Sequence, residues 1–199
     1  MTDSPAHPVP TLNIANVLTT VRILLVPVFI WLLLADNAEH GLFRWIAVVV
    51  FAVAIYTDKL DGDLARSRGL ITNFGKIADP IADKLLIGSA LILLSVLGEL
   101  PWWITAVILV RELGITLLRF VVIKYGVMPA SRGGKLKTVL QTLAIFLYLL
   151  PLGTWLGEWA VWIAFIVMLV AVLVTVVTGV DYVLKAVRLR SGARREAGK

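Results

Sequence analysis

Apolar residues along this chain come in six long runs, at about 17–35, 42–60, 76–98, 102–123, 136–152 and 155–184. Each run holds about 17 to 30 residues, the length a helix needs to cross a hydrocarbon core of roughly 30 Å. None alternates apolar and polar positions as a barrel strand does. Backbone groups in lipid must bond to one another, which leaves helices as the reading. The expected fold is all-α integral membrane, with six transmembrane helices behind a short N-terminal juxtamembrane segment. The expected organisation is a polar N-terminal tail at 1–11, a membrane domain at 12–184 and a basic cytoplasmic tail at 185–199. The stretch Met1 to Pro10 is polar and proline-rich and lacks a positive region followed by a cleavage site, so it is not read as a signal peptide.

Composition agrees with that reading. Hydrophobic residues make up 59% of the chain and the mean hydropathy is +0.91, above the roughly 45–50% apolar content of soluble domains. There is no cysteine, and the two histidines, His7 and His40, sit in polar flanks. Disulfides and thiolate sites are excluded, and a metal would have to be a hard cation on oxygen ligands.

Charge orients the runs. The 59–76 connection carries Lys59, Arg66, Arg68 and Lys76, and the 119–137 connection carries Arg119, Lys124, Arg132, Lys135 and Lys137. The C-terminal tail adds Lys185, Arg188, Arg190, Arg194, Arg195 and Lys199. The other connections are short and mostly acidic, with Asp36 and Glu39, then Glu99, then Glu158. The positive-inside bias places the basic regions, and so both termini, in the cytoplasm of a multi-pass cell-membrane protein. All seven tryptophans, at 31, 45, 102, 103, 155, 159 and 162, fall at or near the opposite ends of the runs. The basic tail suits anionic lipid headgroups, and no nucleic acid is expected as a partner.

The chemistry concentrates in the second and third runs. Asp58 and Asp61 are three apart, and Asp79 and Asp83 are four apart, so each pair shares a helix face. The basic connection between them turns the chain, so the two pairs can face each other. Carboxylates within a membrane are costly, and one or two divalent cations would compensate them economically. Gly62, Ala65 and Gly75 leave room for backbone to approach a phosphate, and Arg66 offers a fork for its oxygens. Asp63 breaks the shared face and reads as a solvated loop charge. The competing reading pairs Asp58 with Lys59 and Asp83 with Lys84 as structural ion pairs. Asn16, Thr19 and Arg22 could cap the first helix or line a nucleotide site, and capping competes strongly for Asn16.

From Asp58 to Asp83 the chain resembles the signature of the CDP-alcohol phosphotransferases, D-x2-D-G-x2-A-R-x8-G-x3-D-x3-D, at all eight fixed positions. Asn16 to Pro27, Asn73 to Lys84, Arg111-Glu112, Gly134 to Thr138 and Thr178 to Tyr182 are similar to its bacterial phosphatidylglycerophosphate synthase branch. Ala78 and the Arg132-Gly133 step depart from the usual pattern without touching a signature position.

The resemblance implies six transmembrane helices, a homodimer, and displacement of CMP from CDP-diacylglycerol by a hydroxyl of glycerol 3-phosphate. It implies that Asp58, Asp61, Asp79 and Asp83 hold Mg²⁺ or Mn²⁺, two ions, with Asp83 doubling as the catalytic base. Asp61, Gly62, Ala65, Arg66, Gly75 and Asn16 would bind the CDP group. Arg111, Arg119, Lys135 and Lys137 are the candidates for the acceptor phosphate. Arg111 is the most telling, since it lies inside an apolar run. A bridge to the adjacent Glu112 is not expected, because neighbours at i, i+1 do not face each other. Alternatives within the family are phosphatidylglycerol as acceptor, in cardiolipin synthesis, or inositol phosphate. From another class, a cation or proton transporter also uses paired carboxylates. Against it, the aspartates lie near the cytoplasmic ends, and the later runs offer Glu112 and Asp181 but no relay to the far side.

Overall fold

The structure, a computed structural model, describes residues 13–67, 72–122 and 132–197, and their side chains except at 65, 66, 73, 76, 122, 132, 133 and 190–197. Among the described residues there are seven α-helices and no strand: α1 (Ile14–Asp36), α2 (Leu42–Ser67), α3 (Asn73–Val96), α4 (Trp102–Val122), α5 (Arg132–Leu149), α6 (Leu152–Leu156) and α7 (Glu158–Ala197). The expected N-terminal tail lies outside the described residues. α7 continues without a break through residue 185, where the expected tail begins.

The six long helices fall on the six apolar runs, and α6 bridges the end of the fifth run and the start of the sixth. By length and composition, α1 and the Glu158–Leu189 part of α7 can cross a membrane, with mean hydropathies of 2.4 and 3.0. The helices between them carry charges within their apolar stretches: Asp58 and Asp61 in α2, Asp79 and Asp83 in α3, Arg111 and Glu112 in α4, Lys135 and Lys137 in α5. Large apolar side chains are exposed along every long helix, among them Leu24, Val49, Ile77, Val110, Val139 and Leu173. Six of the seven tryptophans are exposed as well. An apolar exterior on this scale matches lipid rather than water as the surrounding solvent.

The chain forms two compact units, residues 1–93 and 94–199. In the first, α1 and α2 make an antiparallel hairpin whose register is set by three contacts. Arg44 lies 4.0 Å from Asp36, the Phe29 and Phe51 rings are 5.7 Å apart, and Arg22 Nη1 lies 2.6 Å from Asp58 Oδ1. Each step from one contact to the next is seven residues, back along α1 and forward along α2. That is two helical turns, the spacing at which packed helices keep one seam in contact. The turn joining them bends through three non-glycine residues with positive φ: Asn37, Ala38 and His40. Buried Asp36 holds it, accepting hydrogen bonds from the backbone N–H groups of His40, Gly41 and Arg44.

The buried face of α1 changes character along its length. Val26, Phe29, Leu32 and Leu33 make its apolar half, and Asn16, Thr19 and Arg22 its polar half. The polar half meets the part of the chain that carries the aspartates.

In the second unit, α4, α5 and α6 each pack on α7. α7 presents mostly small side chains at these contacts, with Ala160, Ala164, Ala171, Thr175 and Ala186 all buried. Small residues let helix backbones approach closely where no hydrophobic drive separates protein from lipid.

Candidate active site

The first unit gathers three of the four aspartates. Arg22, fully buried, forks between Asp58 and Asp61 through Nη1 and Nη2. The Thr19 hydroxyl lies 3.2 Å from Asp61 Oδ2 and 2.6 Å from Asp79 Oδ1. It has one proton, so it donates to one carboxylate at a time. Asp61 is the hub, 3% exposed, touching both Arg22 and Thr19. Asp58 is more open, at 45%. Asp83 stands one turn beyond Asp79 on α3, half-buried. Asp63 is exposed, but it lies within α2 and not in a loop, which corrects that part of its reading.

α3 is tied to α1 at its first turn. Thr72 caps α3, accepting from the Gly75 N–H at 3.0 Å, and donates its hydroxyl to Asn16 Oδ1 at 2.9 Å. Asn16 is therefore not the cap of α1. Asn13 is, accepting from the Asn16 N–H at 3.0 Å. This frees the Asn16 side chain to reach across to α3. A Cβ added at Gly75 would lie 3.1 Å from Asn16 Oδ1 and 3.7 Å from Asp79 Oδ2. Gly75→Ala should therefore push Asn16 back by a few tenths of an ångström and loosen its bond to Thr72. We expect kcat/KM to fall about tenfold or more, since small misplacements near a reacting centre are costly. Steady-state kinetics would test this, with circular dichroism checking that the helices persist.

Carboxylate oxygens are the right donors for a hard divalent cation. Arg22 carries one positive charge against three carboxylates, so in chemistry and charge the group suits such an ion. Yet among the described residues no three Asp, Glu or His side chains are arranged as a ready ligand set. The cation the sequence reading did not anticipate is Arg22, placed between two of the carboxylates. Compensation therefore begins with a side chain and not only with metal. Polar positions at 16, 19 and 22, spaced three apart and so on one helix face, were the available signal. Of the other residues expected at the nucleotide, Gly62 lies in α2 beside Asp61. The side chains of Ala65 and Arg66 lie outside the described residues.

The second unit holds the expected acceptor residues. Glu112 Oε1 accepts from Arg111 Nη1 at 3.0 Å and from the Lys137 ammonium. The expectation that Arg111 and Glu112 would not pair is corrected here. Both side chains are long enough to reach around the helix, although their Cβ atoms diverge. Arg111 Nη2 also donates to Thr178 on α7 at 3.2 Å, while its Nε is buried without a hydrogen-bond partner. The arginine lies against Gly179, where an added Cβ would sit 3.1 Å from Arg111 Cγ. Arg119 donates to the Tyr182 hydroxyl at 3.2 Å, its guanidinium 5.6 Å from the centre of that ring. Lys135 is exposed and Lys137 is buried. Arg111 and Lys137 together exceed the charge of Glu112, which suits an anion.

The CDP-alcohol phosphatidyltransferase family model matches residues 12–177. The chain belongs to this family, whose members are membrane enzymes generally dependent on a divalent metal. Among its relatives is a probable phosphatidylglycerophosphate synthase of Mycobacterium tuberculosis. It is 54% identical over 185 residues, covering 93% of this chain and 87% of that protein. A CDP-diacylglycerol–glycerol-3-phosphate 3-phosphatidyltransferase of Bacillus subtilis is 37% identical, covering 85% and 93%. A CMP-forming cardiolipin synthase of Streptomyces coelicolor is 34% identical, covering 75% and 71%.

Proposed function

We infer that this chain transfers the phosphatidyl group of CDP-diacylglycerol to glycerol 3-phosphate, yielding phosphatidylglycerophosphate and CMP. The observation that carries this is the complete Asp58–Asp83 signature, three of whose aspartates meet at Arg22 and Thr19. The names of the M. tuberculosis and B. subtilis relatives support the same reaction.

In this reading an acceptor hydroxyl attacks the phosphorus that bears the diacylglycerol. Its proton passes to the Asp83 carboxylate. The bond from that phosphorus to the bridging oxygen breaks, and CMP leaves with the oxygen and its electron pair. Asp58, Asp61, Asp79 and Asp83 would hold the divalent metal, Mg²⁺ or Mn²⁺ and two ions, which supplies positive charge against the diphosphate. Asn16, Asp61, Gly62, Ala65, Arg66 and Gly75 line the CDP group. Arg111, Arg119, Lys135 and Lys137 receive the acceptor phosphate, and Glu112 keeps Arg111 and Lys137 oriented towards it. The membrane domain spans residues 12–184 with six crossings, the tails 1–11 and 185–199 and the active site face the cytoplasm, and the chain pairs as a homodimer. The diacyl chains of the donor stay in the bilayer.

The test gives purified protein CDP-diacylglycerol with glycerol 3-phosphate, inositol phosphate or phosphatidylglycerol, and measures CMP. Release with glycerol 3-phosphate is expected; release with another acceptor and none with glycerol 3-phosphate overturns the assignment. Arg111→Gln should raise KM for glycerol 3-phosphate about tenfold or more, the loss of one charge-assisted contact. KM for the CDP-lipid should hardly move.

A further inference from the structure

Arg22 is the least explained residue of the site. It is a full positive charge, wholly buried, in the N-terminal half of the most apolar helix of the first unit. A membrane helix tolerates such a group only with partners. Its partners are Asp58 and Asp61, two carboxylates of the signature itself. One guanidinium thus occupies oxygens on which a metal would depend. Its Nε makes no hydrogen bond, so both contacts of the group are made through the terminal nitrogens.

We propose that Arg22 is a built-in counter-ion that competes with the divalent cation for the oxygens of Asp58 and Asp61. It thereby keeps metal affinity low and the site preorganised. Two consequences follow from charge and geometry. With the cation away, Arg22 and Thr19 hold the carboxylates together against their mutual repulsion. When the cation arrives, Arg22 gives up carboxylate oxygens to it, so part of the binding energy is spent and the ion is held loosely. Asp79 is organised by Thr19 rather than by Arg22, so it remains a ligand that the arginine does not contest. Arg22 acts here as a positioning residue, through the aspartates and not on the substrate.

This inference rests on the metal role given to the aspartates above. Its test titrates the full detergent-solubilised chain with Mn²⁺ alone, reading free ion by electron paramagnetic resonance, with no substrate present. Arg22→Gln removes the competing charge and should bind Mn²⁺ about tenfold or more tightly, in line with one nearby charge lost at short range. Arg22→Lys, whose point charge cannot fork between two carboxylates, should fall between the two. If the glutamine variant does not fold, the lysine variant decides: several-fold tighter binding supports the proposal. Equal or weaker binding by whichever variant folds overturns it, because Arg22 would then assist the ligands and not compete for them. Wild-type protein that bound no Mn²⁺ would remove the metal assignment itself, a failure distinct from an unchanged affinity in the variants.

Discussion

Asp61→Ala should both abolish CMP release and destabilise the first unit. Asp61 is 3% exposed and receives one arm of a fully buried arginine. Removing one member of a buried ion pair leaves the other uncompensated, at a cost of about 3–5 kcal/mol. Arg22 keeps Asp58, but Asp58 is partly open and its charge is better screened by solvent. The loss of turnover should be on the order of 10²–10³-fold or greater, since a preorganised charge of the proposed metal site is gone. Thermal unfolding in detergent and a CMP assay measure the two effects separately. The double variant Arg22→Gln with Asp61→Asn should recover much of the stability and none of the activity, because both buried charges are then absent. A single Asp61→Ala variant as stable as the parent would contradict the coupling of Asp61 to Arg22.

Asp83→Asn should give the opposite balance, with large kinetic and small structural effects. Asp83 stands one turn past Asp79 and is half-buried, with the Arg22 fork given to Asp58 and Asp61. The amide keeps the shape but cannot accept a proton from the acceptor hydroxyl. Loss of a general base lowers kcat by about 10²–10⁴-fold. The metal requirement should rise as well, because Asp83 is also placed among the metal ligands, while the melting temperature should stay close to that of the parent. A variant with full turnover would remove Asp83 as the base. One that lost turnover together with much of its stability would place Asp83 in the structural network instead. Together the two variants separate the residue that organises the site from the residue proposed to take the proton.

The two clusters differ in how they could be read beforehand. The aspartates were legible because their chemistry requires fixed spacing, and helical periodicity turns spacing into a shared face. Of the expected acceptor cations, Arg111, Arg119 and Lys137 were legible as charges inside apolar runs. Their mutual contacts were not, since Arg111 reaches Glu112 by side-chain length, a property that Cβ geometry does not capture. Asn16 shows the same limit. Local pattern offered it as a cap, but Asn13 took that place, and Asn16 turned to Thr72, 56 residues away.

By itself the sequence determined the helical class, the six apolar runs and the signature. Each depends only on neighbours within a few turns, where hydrophobicity and periodicity act. Tertiary structure alone decided which charge meets which. The seven-residue register of α1 on α2 brings Arg22 to Asp58 and Asp61, and the capped start of α3 brings Asp79 to Thr19. Electrostatic contacts of this kind link residues about 36 to 60 positions apart along the chain. Their energies depend on burial and distance, which no local pattern encodes.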